Sequence, residues 1–370
     1  MKDYLPALLI VLLALTGCLS SADYDRQRFF TVVAAGDTVH PVNEGYLDEF
    51  IALGREIYAP TRDLISSGDL SFVNIEGPFM DDKRYIEKGG IVFANYPSDL
   101  DNLLWAGFNC FSLANNHSLD CGVAGVKNTL DLLDKKKSEP GHKNLVYAGL
   151  GRTPDEAAKF SAAVINNVRV AFFAYTARYN RAGRLCNDYS LKGATGDLAM
   201  AEGAQLKIVS VHHGEEFRHV PSSEVVNSYR ALIDAGADLV LGHHPHVAQG
   251  VEKYGRGLIF YSLGNYAMGT VSKRHIKLNG RLYSIIARVR YRKTGKSLYP
   301  ESVEIFPLYS DNANDLVVGG NALRRRRFVP EVLTGLFAQH VLDRIELWSS
   351  QVPGNRTRFI REGDVLTVKF

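Results

Sequence analysis

Short continuous runs of β-branched and aromatic residues, separated by stretches of helical periodicity, constrain this chain more than any other feature. Residues 29–35, 70–75, 108–113, 168–175, 206–211, 239–241 and 258–263 read as strands. Apolar runs without polar alternation belong to strands covered on both faces. Between them, residues 46–66, 98–106, 123–136, 154–160 and 222–235 carry helical patterns. Such alternation predicts a layered α/β architecture. From Arg281 the character changes. Residues 283–291 and 302–307 flank Lys293-Thr294-Gly295-Lys296 and predict a β-hairpin. Residues 329–349 predict an amphipathic helix, and 364–370 a terminal strand. With 370 residues the chain can bury a large core, either as one big domain with an appendage or as two domains.

The amino terminus predicts an anchor. Residues 5–15 are apolar but too few to span a bilayer, and Leu15-Thr16-Gly17-Cys18 follows. That tetrad resembles the bacterial lipobox, in which the cysteine is acylated. Residues 1–18 then form a lipoprotein signal peptide, Cys18 is the lipidation site and 19–28 are a linker. An uncleaved hydrophobic anchor is the competing reading, and either places the remainder outside the cytoplasm. A formal charge of +3 supplies no sustained basic face and excludes a nucleic-acid binder. The run Arg324-Arg325-Arg326-Arg327 fits a solvated helix approach as well as contact with an anionic polymer or headgroups. Past Cys18 an odd set remains, Cys110, Cys121 and Cys186, which argues against a complete disulfide framework. A Cys110–Cys121 pair stays open in an oxidising compartment.

Polar residues fall where the strands end. Gly36-Asp37 follows the first strand, and the second contains Asn74 and closes with Glu76-Gly77. The third leads to Asn115-Asn116-His117-Ser118-Leu119-Asp120. Then come His212-His213-Gly214-Glu215-Glu216, Gly242-His243-His244-Pro245-His246 and Gly264-Asn265. Open α/β sheets bind ligands beyond the carboxyl ends of their strands, so these loops are expected to converge on one edge. Carboxylates, amides and imidazoles gathered there can hold one or two divalent cations, and mixed N/O ligation favours Zn, Mn or Fe. In the histidine run, Gly242 is expected to turn the backbone sharply and Pro245 to stiffen the loop.

These motifs, with Asn74-Ile75-Glu76-Gly77-Pro78, the stretch from Gly236 to Val247 and Phe260-Tyr261-Ser262-Leu263-Gly264-Asn265, resemble in order and spacing the capsule synthesis protein CapA/PgsA family. The resemblance covers about residues 29–310 and leaves 311–370 as a C-terminal extension. It implies an αββα two-sheet sandwich of the calcineurin-like metallophosphatase type, with a C-terminal hairpin and helix added. It also implies a role in making, exporting or anchoring poly-γ-glutamate. By motif, Asp37 and His246 would ligate a first metal, Glu76 would bridge in competition with Asn74, and Asn116, His212 and His244 would ligate a second. His117 would protonate a leaving group or touch substrate, and Asp120 and Glu216 would orient imidazoles. Asn74, Asn115, His213 and Asn265 are further candidates around the metals or substrate. The chain departs from the metallophosphatase Asp-x-His opening: Val39 stands at the histidine place and His40 comes one residue late. Arg178, Arg181 and Arg184 read equally as a polyanion contact and as an exposed loop.

Two functions fit these residues. One is a metal-dependent hydrolase or transferase acting on a phosphoester or γ-glutamyl bond. The other is a non-catalytic lipoprotein that binds poly-γ-glutamate or a membrane synthase or export subunit.

Overall fold

The computed structural model describes residues 27–39, 47–80, 92–177, 184–268, 284–310, 315–324, 326 and 328–370. The signal peptide and Cys18, His40, Arg178 and Arg181 lie outside them. In chain order the strands are β1 (Phe29–Val39), β2 (Leu70–Ile75), β3 (Cys110–Ser112), β4 (Val146–Ala148), β5 (Ser161–Ile165), β6 (Val168–Thr176), β7 (Leu206–His212), β8 (Leu239–His243) and β9 (Val251–Tyr254). They continue with β10 (Gly257–Phe260), β11 (Asn265–Met268), β12 (Ser284–Thr294), β13 (Ser297–Tyr309), β14 (Leu316–Val318), β15 (Asn321–Leu323), β16 (Glu331–Val332), β17 (Ile360–Glu362) and β18 (Val365–Lys369). The longer helices among the described residues are α1 (Pro97–Ala106), α2 (Gly122–Ser138), α3 (Leu191–Met200), α4 (Ser223–Asp234) and α5 (Gly335–Ser350).

Two sheets face each other. The first has the order β17-β18-β13-β12-β1-β2-β3-β4, with β11 added beside β1 and β16 beside β13; the second has the order β5-β6-β7-β8-β10-β9. Period-two alternation divides the second sheet's side chains cleanly. Val168, Val170, Phe172, Leu206, Ile208, Leu239, Leu241, Leu258 and Phe260 join the core shared with β1 and β2. Phe72 and Phe172 touch edge to face across it, with ring centroids 5.8 Å apart. The intervening residues Phe173, Val209, Val211, Val240 and Ile259 turn outward to Leu198 of α3 and to Val225, Tyr229 and Ile233 of α4. On the first sheet, β1 to β4 run parallel, which requires crossover connections. Next to the inward Phe72, Ser71 points the other way and its hydroxyl donates to the Ile65 carbonyl in one such crossover. Helices therefore cover both outer faces, giving the expected αββα sandwich.

The differences from the sequence reading have local causes. The helix expected over 46–66 is broken into Leu47–Leu53, two 3₁₀ turns and Arg62–Ser66. Gly54 sits at φ +50 and Pro60 lacks an amide hydrogen, so a continuous helix cannot form. The helix expected from 329 begins only at Gly335 because Pro330 and β16 intervene and Thr334 has extended backbone. The pattern over 154–160 yields one turn, Pro154–Ala157, before β5. The β12–β13 hairpin runs closer to its turn than expected on both strands, and β13 continues two residues further, to Tyr309. Helix α3 and the short strands β4 and β9 carry too few periodic residues to declare themselves. The C-terminal residues build into the main core: β18 pairs with β13, and Val341, Leu342 and Ile345 of α5 are buried within it. Cys110, Cys121 and Cys186 are all free and buried, so the Cys110–Cys121 pair is absent.

Candidate metal centre

Asp37 sits where β1 changes partners. Up to Ala34, β1 pairs antiparallel with β12; from Asp37 it pairs parallel with β11, with bulges on either side. This exchange demands close backbone approach. A Cβ on Gly36 would lie 1.8 Å from the Gly264 carbonyl oxygen, and the Asp37 amide donates to that same oxygen at 3.0 Å. Bulges of this kind re-aim side chains next to functional sites. Asn74 in β2 and Glu76 just after it, residues 115–120 after β3, and His212 and His243 ending β7 and β8 all lie at carboxyl ends of parallel strands.

Gly242 does not make the turn. It lies inside β8, where a Cβ would come 2.0 Å from the Tyr261 carbonyl oxygen, so it permits strand contact. The turn is made by His244 and His246, at φ +93 and +57. Side-chain-bearing residues held there cost on the order of 1–3 kcal/mol each and persist only where surroundings fix them. The result aims two imidazoles inward. His244 Nδ1 is 3.1 Å from His212 Nε2, and His246 Nδ1 is 3.0 Å from Asn265 Oδ1 and 3.6 Å from Asp37 Oδ2.

The remaining groups close around Glu76. Its Oε1 lies 3.9 Å from His117 Nε2, 3.7 Å from His212 Nε2 and 3.9 Å from His246 Nε2. Asp37, Glu76 and His246 offer donor atoms all within 4.8 Å of one another, and so do Glu216, His244 and His246. Asp37, Glu76 and His243 are fully buried, and His212, His244 and His246 nearly so. Burial favours a neutral Asp37, yet the His243 hydrogen bond, the charges of His243 and His246 and the Asn74 amide outweigh it and hold the carboxyl below its usual range. Burial, followed by the neighbouring imidazoles, pushes His212 well below the ordinary histidine value, so it stays neutral as a ligand must.

This donor set fits a divalent cation. His212 Nε2 is approached by His244 Nδ1 and, at 2.7 Å, by Asn116 Oδ1. An imidazole nitrogen carries at most one hydrogen, so it cannot donate to both. A cation placed among the three would accept all of them. Carboxylates and neutral imidazoles together suit Zn, Mn or Fe.

Around these groups lie the residues that hold them. His117 Nδ1 is 2.7 Å from Asp120 Oδ2, which also accepts the Phe93 amide at 2.8 Å. With Nδ1 fixed and the Phe93 ring centroid 4.1 Å from its own, the His117 ring presents Nε2 toward Glu76. Asn115 is buried and donates to the Ile75 carbonyl, tying the 115–120 loop to β2. His213 stands apart: its ring lies 6.1 Å from Tyr189 and its amide donates to the His243 carbonyl. Arg184, the one described arginine of its loop, is exposed at φ +49. Sequence reasoning gave His243 no role, yet its Nδ1 is 3.0 Å from Asp37 Oδ1. No local signal marks it: strand alternation lets only one of two adjacent histidines line the rim, yet the turn at His244 brings both residues to Asp37.

A two-sheet α/β sandwich bearing a buried carboxylate–amide–imidazole centre on one rim is the class that fold and site define. Residues 31–270, more than half of the chain, match the family model described as Bacterial capsule synthesis protein PGA_cap, and the chain belongs to that family. It is similar to Capsule biosynthesis protein CapA of Bacillus anthracis, 27% identical over 71% of this chain and 66% of that protein. It is also similar to PGA biosynthesis protein CapA of Bacillus subtilis, 29% identical over 60% of this chain and 62% of that one. The matches therefore span just under two thirds of those relatives' own lengths. Among solved structures, calcineurin-like phosphoesterase YfkN from Bacillus subtilis aligns with a TM-score of 0.41 and 13% identity, over 86% of this chain and 98% of that one.

Proposed function

We propose that this chain is a membrane-anchored, extracytoplasmic protein of capsule or poly-γ-glutamate biosynthesis that hydrolyses or transfers an anionic phosphoester or γ-glutamyl bond at a divalent metal centre. The observation that carries the reading is the convergence of three imidazole Nε2 atoms on Glu76 Oε1, beside a buried and charge-supported Asp37. Asp37, Glu76, Asn116, His212, His244 and His246 would hold the cation, with Glu216 in reach of the same imidazoles. When bound, a divalent cation polarises an anionic substrate and lowers the pKa of water. His117, kept partly accessible at the rim, is the proton donor to the leaving group, and Asp120 fixes its ring for that transfer. Asn265 and His243 orient His246 and Asp37 in turn.

Anchoring rests on the sequence from Leu5 to Cys18. No helix among the described residues is long and apolar enough to cross a membrane. A polyanionic capsule polymer, together with membrane synthase or export subunits, is the partner class this setting supplies. The accessory reading keeps one specific support, Val39 in place of an imidazole. The variants His244→Ala and His117→Ala separate the two. Loss of metal and of polymer processing in the first, with metal kept and turnover lost in the second, supports catalysis. Unchanged capsule phenotype and unchanged hydrolysis in His117→Ala refute it.

A further inference from the structure

The end of the sandwich remote from the metal centre carries cations and exposed aromatic rings. Phe29 lies eight residues before Asp37 on the same strand, about 26 Å away at strand rise. The Arg290 and Arg28 guanidinium carbons lie 3.7 and 5.4 Å from its ring centroid. A cavity of about 210 Å³ opens at the metal rim beside Glu215 and Arg218. A larger one, about 410 Å³, opens at the Phe29 end, lined by Phe29, Arg290, Arg292, Glu301, Lys369 and Phe370 among others. Tyr299, opposite Arg292 in the hairpin, is 57% exposed, and Phe370 is 40% exposed. Two carboxylates at this end are already engaged, Glu301 by Arg292 and Glu362 by Lys369. Arg290 and Arg28 also act on Glu301, and Asp69 lies near Lys293; with Lys296 and Lys253, the last 4.9 Å over Phe370, the cations named at this end outnumber its named carboxylates Glu301, Glu362 and Asp69. A chain of formal charge +3 thus gathers positive charge and aromatic surface on one end.

That end is also where the chain comes in from its apolar segment. Ten Cα-to-Cα steps separate Cys18 from Arg28, a reach of at most about 35 Å when extended. We infer that the Phe29 end of the sandwich docks on an anionic lipid surface, turning the metal rim away from the bilayer toward soluble polymer. The inference rests on the anchoring reading above. Basic residues attract anionic headgroups, and tyrosine is favoured at headgroup depth. The geometry would keep the centre a strand's length above the membrane, where it reaches an extended polymer and not a lipid-linked group at the surface.

The test uses the full-length chain on vesicles with an acceptor dye in the headgroup region. One donor dye is attached through Thr294→Cys at the hairpin tip, another through Glu215→Cys at the metal rim; the described native cysteines are buried. On phosphatidylglycerol-containing vesicles the tip donor should transfer more strongly than the rim donor. The preference should collapse in the triple variant Arg290→Gln, Lys253→Gln, Lys296→Gln, because each cation lost near an anionic surface weakens binding roughly fivefold, about a hundredfold for three. Vesicle association on purely zwitterionic lipid should persist through the anchor. No association with either vesicle sinks the anchoring reading and the docking with it. Association with equal transfer from the two donors, or a preference untouched by the triple variant, overturns the docking alone. So does poly-γ-glutamate binding that the triple variant abolishes while both donors transfer equally.

Discussion

Gly242→Ala tests how the strand framework sets the site. The added Cβ would lie 2.0 Å from the Tyr261 carbonyl oxygen and 2.6 Å from its carbon, both fixed backbone atoms between β10 and the site. Restoring ordinary contact near 3.4 Å moves one backbone by about 1.4 Å. The Leu263 amide donates to the Gly242 carbonyl at 3.2 Å, and that bond would not survive the move. Losing it costs about 0.5–1.5 kcal/mol and overpacking a tight core about 1–3 kcal/mol, together about 2–4 kcal/mol. At roughly 2–4 °C per kcal/mol for a chain this long, Tm should fall by about 5–15 °C. His243 and His244 follow Gly242 directly and make contacts of 3.0 and 3.1 Å, so metal content should fall with stability. Thermal melting and elemental analysis of one preparation read both. Gly196→Ala is the control: nothing lies within 4 Å of a Cβ there, inside α3, so the variant should be unchanged or slightly more stable. Gly242→Ala with wild-type Tm and full metal would refute the reasoning.

Asp120→Asn keeps the shape and an oxygen that can accept from both His117 and the Phe93 amide, but removes the negative charge beside the His117 ring. Turnover of a chromogenic phosphoester or poly-γ-glutamate should drop about 10–100-fold with metal content unchanged, and metal loss would contradict that division of roles. Acid should destabilise the metal-free protein. Burial depresses His212 and His219 below the usual 6.5, so the unfolded chain binds more protons, and stability present above pH 6.5 is lost as pH falls below it. Chemical denaturation in EDTA from pH 7.5 to 5 checks this, and a flat profile would contradict it. His219→Gln should flatten part of the slope, since His219 is half-buried, stacked on Trp348 and outside the candidate ligand set.

The layered fold and its rim were legible because each buried strand is a continuous apolar run whose last residues change abruptly to ligand types. That boundary marked the clusters containing Asp37, Asn116, His212 and His244, while the roles given to these four came from the family resemblance. What stayed hidden depends on pairing between distant segments. The role of Gly242 is set by Tyr261, and that of Gly36 by Gly264, neither of which local sequence reveals. The bond from His243 to Asp37 joins the two sheets, so nothing near His243 in sequence announces it. Helix ends were misjudged at 46–66 and 329–349 because periodicity persists past Gly54 and Pro330 while the backbone cannot.

Metal stoichiometry bears most directly on the account. The full-length protein, expressed with zinc and manganese supplied and purified without chelator, should carry one or two equivalents of a transition metal by elemental analysis. Asp37→Asn and His244→Ala should each carry substantially less while melting cooperatively. Wild-type protein that binds neither metal, or variants that retain the full complement, would contradict the metal centre on which the account depends.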